Sequence, residues 1–168
     1  RLGWCDRVVV LDSYSTDRTL EIASSFDNVD IEQRAFDSFA GQCNYGLMLI
    51  DTEWTLSLDS DYVLTPEVIR EINELADTPA SAGYKVPFQY LVHGKPLRGT
   101  LYPPRTVLYR TQRATYQQDG HAHRVEIDGT VQPLSNVIQH DDRKPLGSWL
   151  DAQRRYARWR RTRIISEV

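Results

Sequence analysis

The chain has 168 residues, 40 % hydrophobic and 26 % charged, with a net charge of −3. These values describe one ordinary globular domain with room for a sizeable core, and they exclude disordered, collagen-like and disulfide-scaffold classes. The charge is uneven: residues 1–142 carry 12 Lys/Arg against 21 Asp/Glu, whereas residues 143–168 carry 8 against 2. An acidic body of this kind repels nucleic acid, so no nucleic-acid partner is expected. Cys5 and Cys43 have no metal-ligand spacing and read as reduced thiols of a cytosolic protein. No signal peptide opens the chain, and no apolar run approaches the ~18 residues of a membrane span. Because Arg1 lies close to a strand and Val168 falls inside a charged helical pattern, the chain is expected to be a fragment lacking a preceding strand.

The first element is a buried strand over 8–11, four apolar residues in a row. It runs into Asp12-Ser13-Tyr14-Ser15-Thr16-Asp17, where Thr16 or Asp17 can cap a helix over 17–25 with Leu20, Ile22 and Ala23 facing inward. An acidic, hydroxyl-rich loop at the carboxyl end of a strand suits hydrogen bonding to a base or sugar, which makes Asp12, Ser15 and Asp17 candidate nucleotide contacts. A short strand over 29–32, a helix over 39–50 and a strand over 54–58 follow. Thr65-Pro66-Glu67 then starts a helix with the stripe Val68, Ile69, Ile72 and Leu75. Strands alternating with short helices predict parallel βαβ units.

Beyond Thr78-Pro79 the pattern becomes β-rich. Strands are predicted over 84–92 and 97–101, joined by the turn His93-Gly94-Lys95-Pro96, and then over 107–110, 115–117 and 125–127. Asp128-Gly129 reads as a hairpin turn. A closing helix from Ser148 carries Trp149, Ala152, Tyr156 and Trp159 at helical spacing, with arginines along it.

Three groups of residues carry chemistry. Asp59-Ser60-Asp61 follows the strand ending at Leu58, and two carboxylates so placed suit Mg²⁺ or Mn²⁺ beside a diphosphate. Gln42 and Asn44, at the start of the second helix, can hydrogen-bond a sugar or pyrophosphate. Asp119 can serve as a general base, with Asp141 and Asp142 as alternatives, and His121 as a hydrogen-bonding group of the acceptor or diphosphate site. His123 reads as structural, while His93 and His140 receive no role. Arg143, Lys144 or Arg154 can clamp a diphosphate through charge, and the basic helix can rest on anionic lipid.

The loop of residues 9–19, Gln42-Cys43-Asn44, and Asp59-Ser60-Asp61 occur in an order and spacing that resemble inverting family 2 glycosyltransferases. The likeness is strong over 6–75 and looser over 83–158, where Asp119-Gly120-His121 and the 140–144 run are similar to bacterial members. Gln153-Arg154-Arg155-Tyr156 is faintly similar to a Gln-x-x-Arg-Trp element of processive members. The resemblance implies a GT-A fold, an α/β architecture with a Rossmann-like, mostly parallel sheet. It also implies a single domain over 1–168: a nucleotide-sugar half (1–78), a β-rich acceptor half (79–145) and a basic amphipathic helix (146–168). By the same resemblance Asp12 sits against the base, Asp59 against ribose or diphosphate, and Asp61 on the metal. The implied activity is a metal-dependent, hexosyltransferase-type transfer from a nucleotide-diphosphate sugar to a saccharide or lipid-linked acceptor of a bacterial envelope polysaccharide or lipopolysaccharide. The expected location is cytoplasmic, at the inner face of the plasma membrane. Tyr14 stands where the family commonly has glycine, and Cys43 where it usually has a basic residue. Two alternatives stay open. One is a haloacid-dehalogenase-like phosphatase with Asp59 as nucleophile and Asp141-Asp142 as a metal pair. The other is a non-catalytic sugar-binding domain.

Overall fold

The computed structural model describes residues 2–75, 81–99, 103–120 and 122–143, together with 145, 147, 148, 150, 151 and 154. The expected βαβ unit is present at the start. Strand β1 (Val8–Asp12) and strand β2 (Val29–Gln33) pair in parallel around helix α1 (Thr19–Ala23). Asp17 starts α1 by accepting the Thr19 N–H at 2.9 Å. The inward face of α1 departs from expectation, because Ile22 is 54 % exposed. Five residues are too short for a full apolar stripe.

Helix α2 (Phe39–Met48) is capped by Ser38, whose hydroxyl accepts from the Gly41 N–H at 3.0 Å. Strands β3 (Trp54–Leu56) and β4 (Tyr62–Leu64) flank the Asp59-Ser60-Asp61 turn. Helix α3 (Pro66–Asn73) has the predicted cap, Thr65 Oγ1 accepting from the Val68 N–H, and proline in its first turn. Its stripe packs as predicted: Val68 is fully buried, and Ile69, Ile72 and Leu75 lie against the same core.

The second half is β-rich but differently divided. Residues 84–92 are not one strand. Pro87, with no N–H to donate, separates β5 (Ser81–Val86) from β6 (Phe88–Val92), and the two join different sheets. His93 and Gly94 make a tight turn with positive φ into the two-residue β7 (Lys95–Pro96). Residues 97–99 are not strand, and the rest of that expected segment lies outside the described residues. Strands β8 (Arg105–Arg110), β9 (Ala114–Asp119), β10 (Ala122–Ile127), β11 (Thr130–Pro133) and β12 (Ile138–Asp142) complete the order.

Beyond β1–β2 the sheets are mixed, where a mostly parallel sheet was expected. One has the order β11-β5-β8-β3, with β8 antiparallel to both β3 and β5, and the other β4-β12-β6-β7. Strands β9 and β10 form a separate hairpin, turning at Gly120 with φ 62°. Asp128-Gly129 does not close a hairpin: β11 leaves β10 and pairs in parallel with β5. Gly129 makes that crossover possible, with φ 134° and a position where a Cβ would lie 2.6 Å from Ala82 Cβ. The main core gathers Leu64, Val68, Val86, Phe88, Val107 and Ile138 from both four-stranded sheets and α3. Each fully buried aliphatic side chain there contributes roughly 1.5–3 kcal/mol.

Candidate active site

An open cleft of about 360 Å³ lies where β3 and the following turn meet β8 and the β9–β10 hairpin. Ser57, Asp59, Tyr62, Arg105, Asp119 and Arg124 place its polar groups. Asp59 extends from the β3–β4 turn, which is closed by the Tyr62 N–H donating to the Asp59 carbonyl at 3.0 Å. Arg105, at the start of β8, reaches the Asp59 carboxylate at 3.9 Å and donates to the Tyr62 hydroxyl at 3.0 Å. Burial and the neighbouring Asp59 carboxylate push the Tyr62 phenol well above its ordinary range. On the hairpin, Arg124 donates to Asp119 Oδ2 at 3.0 Å. Behind these groups Tyr109 and Tyr116 share a hydroxyl hydrogen bond of 2.8 Å, and Tyr116 donates to Ser57 Oγ at 2.9 Å. That buried chain fixes one wall of the cleft.

The Asp12 loop is built by its own hydrogen bonds. Asp12, 5 % exposed, accepts from the Ser15 N–H at 3.0 Å, from the Ser15 hydroxyl and from Gln33 Nε2 at 3.0 Å. Those donors, the Ser15 hydroxyl first, hold the Asp12 carboxyl below the usual carboxylate range. Tyr14 takes φ 62°, the left-handed conformation that glycine favours, so the loop keeps its turn at a cost in strain. Helix α2 ties this loop to the cleft. Gln42 donates to Ser13 Oγ at 2.7 Å and accepts from Arg34 at 2.6 Å, while Asn44 holds β9.

A β1–α1–β2 unit followed by an acid-bearing turn, with a charged cleft between that turn and a β-rich half, agrees with one comparison. The family model described as Glycosyl transferase family 2 matches residues 6–131. The chain belongs to this family. Membership implies the nucleotide-sugar transferase fold, glycosyltransferase activity, and a nucleotide-sugar donor and an acceptor as substrates. It replaces the phosphatase alternative for Asp59.

The structure distributes the predicted site residues of this glycosyltransferase among distinct places. Asp59 and Asp119 line one cleft. Asp61 turns the other way: its Oδ2 lies 2.9 Å from His140 Nε2 on β12, and its carbonyl accepts from the Asp141 N–H at 3.3 Å. The His140 ring is packed between Tyr62 and Tyr90. Ser15 is bound to Asp12, Asp17 to the start of α1, and Gln42 to Ser13 and Arg34. Both amide atoms of Asn44 are engaged by the Tyr116 backbone: Oδ1 accepts its N–H at 2.8 Å, and Nδ2 donates to its carbonyl at 2.9 Å. Asp141 is 8 % exposed and accepts from the Gly94 N–H and from Arg143. The Gly94 N–H first, and then Arg143, hold its pKa below the ordinary carboxylate value. His121 and the Asp142 side chain lie outside the described residues, as does most of the expected basic helix. Arg154 is described, exposed and paired with Asp151 at 3.1 Å. Among the described residues no helix is long and apolar enough to cross a membrane.

Sequence reasoning missed Arg105, Arg124 and Tyr62, and read His123 as structural although it lines the cleft. Only the alternation along the strand predicted over 125–127, extended backwards, puts Arg124 and His123 on successive faces. No local signal marks Arg105. Cys43, at the position of the family's basic residue, is half-buried, and burial followed by the nearby Asp59 carboxylate raises its thiol to about 11. Arg105 supplies the cation beside Asp59 instead.

Proposed function

We propose that this chain transfers a sugar, with inversion, from a nucleotide-diphosphate sugar to a saccharide or lipid-linked acceptor of a bacterial envelope glycan, and that Asp119 is the general base. The observation that carries this reading is the placement of Asp59 and Asp119 in one cleft together with Arg105 and Arg124. A single displacement needs an anion-stabilising side for the leaving diphosphate and a carboxylate for the acceptor proton. Arg105 beside Asp59 furnishes the first, and Asp119 on the hairpin the second. The acceptor oxygen bonds to the anomeric carbon as the bond to the diphosphate breaks, and its proton passes to the Asp119 carboxylate. Arg124, 3.0 Å from Oδ2, orients that carboxylate.

Asp59 and Asp61 carry the hard oxygen donors that Mg²⁺ or Mn²⁺ takes, but Asp59 faces the cleft while Asp61 faces His140 on β12. Among the described residues no three His, Cys, Asp or Glu side chains gather to hold a cation, so the arrangement does not fit the expected metal, and Arg105 is the cation beside Asp59. Asp12, Ser15, Asp17 and Gln42 shape the loop on the donor side, and a basic tail resting on an anionic membrane face would suit a lipid-linked acceptor.

The test is Asp119→Asn. Transfer is expected to fall by a factor of about 10²–10⁴, while binding of UDP with Mn²⁺, followed by thermal shift, stays near wild type. A variant that transfers at the wild-type rate removes Asp119 from the proton step.

A further inference from the structure

Beside His123 of the β9–β10 hairpin two phenylalanines stand in solvent. Phe36 is 53 % exposed and Phe39 47 % exposed, and their rings meet edge to face with centroids 5.1 Å apart. Phe39 also lies nearly parallel to His123, 5.7 Å between centroids at 28°. His123 in turn packs against Tyr116, 5.3 Å away, and lines the cleft alongside Asp119 and Arg124. The aromatic surface is therefore continuous with the wall that bears the proposed base.

Its scaffold is built to hold it still. Arg34 grips both oxygens of Asp37 at 3.0 and 2.6 Å, fixing the segment that carries Phe36. Ser38 caps α2, and the Ala40 N–H donates to Gln118 Oε1 at 3.1 Å, fastening the start of α2 to β9. Two neighbouring phenylalanines half exposed on fixed backbone carry a solvation cost that their contacts return only in part, and such patches mark ligand-binding surfaces.

We propose that Phe36, Phe39 and His123 form a stacking platform for a sugar ring of the acceptor. The proposal rests on the glycosyltransferase reading and adds where the acceptor lies. A pyranose has an apolar C–H face and a rim of hydroxyls. Phe39 supplies an aromatic partner for the face, with Phe36 edge-on beside it, and Asp119 with Arg124, on the same hairpin as His123, supplies an acceptor and donors for the rim. A lipid chain would instead need a continuous apolar groove, and this cleft is flanked by Asp59, Arg105, Asp119 and Arg124. His123 and Asp119 line one cleft, so a ring held at the platform would lie beside the cleft that bears the base.

The test uses methyl α-glucopyranoside, methyl β-galactopyranoside and methyl α-mannopyranoside as probes in saturation-transfer NMR on the intact chain. At least one should receive saturation on its ring C–H protons, and Phe39→Ala should weaken that probe about tenfold. Phe39→Trp should retain it. Phe39→Leu keeps apolar bulk without the aromatic face and should lose binding even though its thermal unfolding matches wild type. Equal saturation in wild type and Phe39→Leu overturns the platform, as does absence of saturation for all three probes in wild type. UDP with Mn²⁺ separates the two readings. If the nucleotide raises the melting temperature while no glycoside binds, the platform alone fails. If the nucleotide gives no shift, the transferase reading fails. If Phe39→Leu abolishes the nucleotide shift instead, the surface holds a nucleobase and the proposal is overturned.

Discussion

Replacing Asn44 by alanine deletes an amide whose oxygen and nitrogen hold the N–H and the carbonyl of Tyr116, at 2.8 and 2.9 Å. Tyr116 is 5 % exposed, and the other edge of β9 is paired with β10, so neither backbone group can turn to water without moving the strand. Orphaning one buried polar group costs about 1–3 kcal/mol, and partial relaxation recovers some of it, so the expected loss for the pair is about 2–4 kcal/mol. Urea unfolding followed by tryptophan fluorescence should show a lower midpoint with an unchanged denaturant slope. Amide exchange should show the Tyr116 N–H losing protection ahead of the Val86 and Ile138 amides of the main core. The reasoning fails if stability drops by less than about 0.5 kcal/mol and Tyr116 exchange is unaltered. A variant of wild-type stability with weakened UDP and Mn²⁺ binding would return Asn44 to the donor side, where its motif first suggests it belongs.

Gly129→Ala should destabilise by about 1–3 kcal/mol in the same assay, because it strains a φ of 134° and drives a Cβ to within 2.6 Å of Ala82. Tyr14→Val places a β-branched residue at φ 62° and should cost about 1–2 kcal/mol, whereas Tyr14→Asn should be tolerated; melting temperatures check both. Burial depresses the His123 pKa, reinforced by Arg105 and opposed by Asp59. The unfolded chain therefore binds that proton more readily than the folded one. The stabilisation is complete above the unfolded value of about 6.5 and is lost as pH falls through the folded value. His123→Gln should flatten this part of the stability profile below about pH 7.

What the sequence disclosed is what short-range chemistry encodes. The β1–α1–β2 unit follows from a four-residue apolar run and a capping loop, and α3 from Thr65, Pro66 and its apolar stripe. Strand pairing is a long-range outcome and was mostly hidden. Pro87 sits inside what reads as one strand because its neighbours alternate correctly, and only the two partner sheets expose it as a crossover. Asp128-Gly129 has hairpin chemistry, yet the glycine serves close passage beside Ala82. In the site, the acids Asp59 and Asp119 were legible because each ends a strand. Arg105 was not, since β8 brings it to Asp59 from a distant position, and Arg124 meets Asp119 only by folding back across the hairpin turn.

The Gln42-Cys43-Asn44 segment shows how a motif can be recognised and still misread. An amide looks the same from sequence whether it faces a ligand or a backbone, and two amides on one turn suggest one shared target. Helix geometry argues otherwise: residues two apart point about 200° from one another. Gln42 accordingly reaches Ser13 and Arg34 beside the Asp12 loop, and Asn44 reaches Tyr116 on the strand that ends at Asp119. Cys43, between them, is left facing the Asp59 side, where burial and the nearby carboxylate keep the thiol protonated. The spacing of the two amides is thus what a strut between the Asp12 loop and the β9–β10 hairpin requires. One turn of α2 thereby joins the segment after Asp12 to the strand that ends at Asp119.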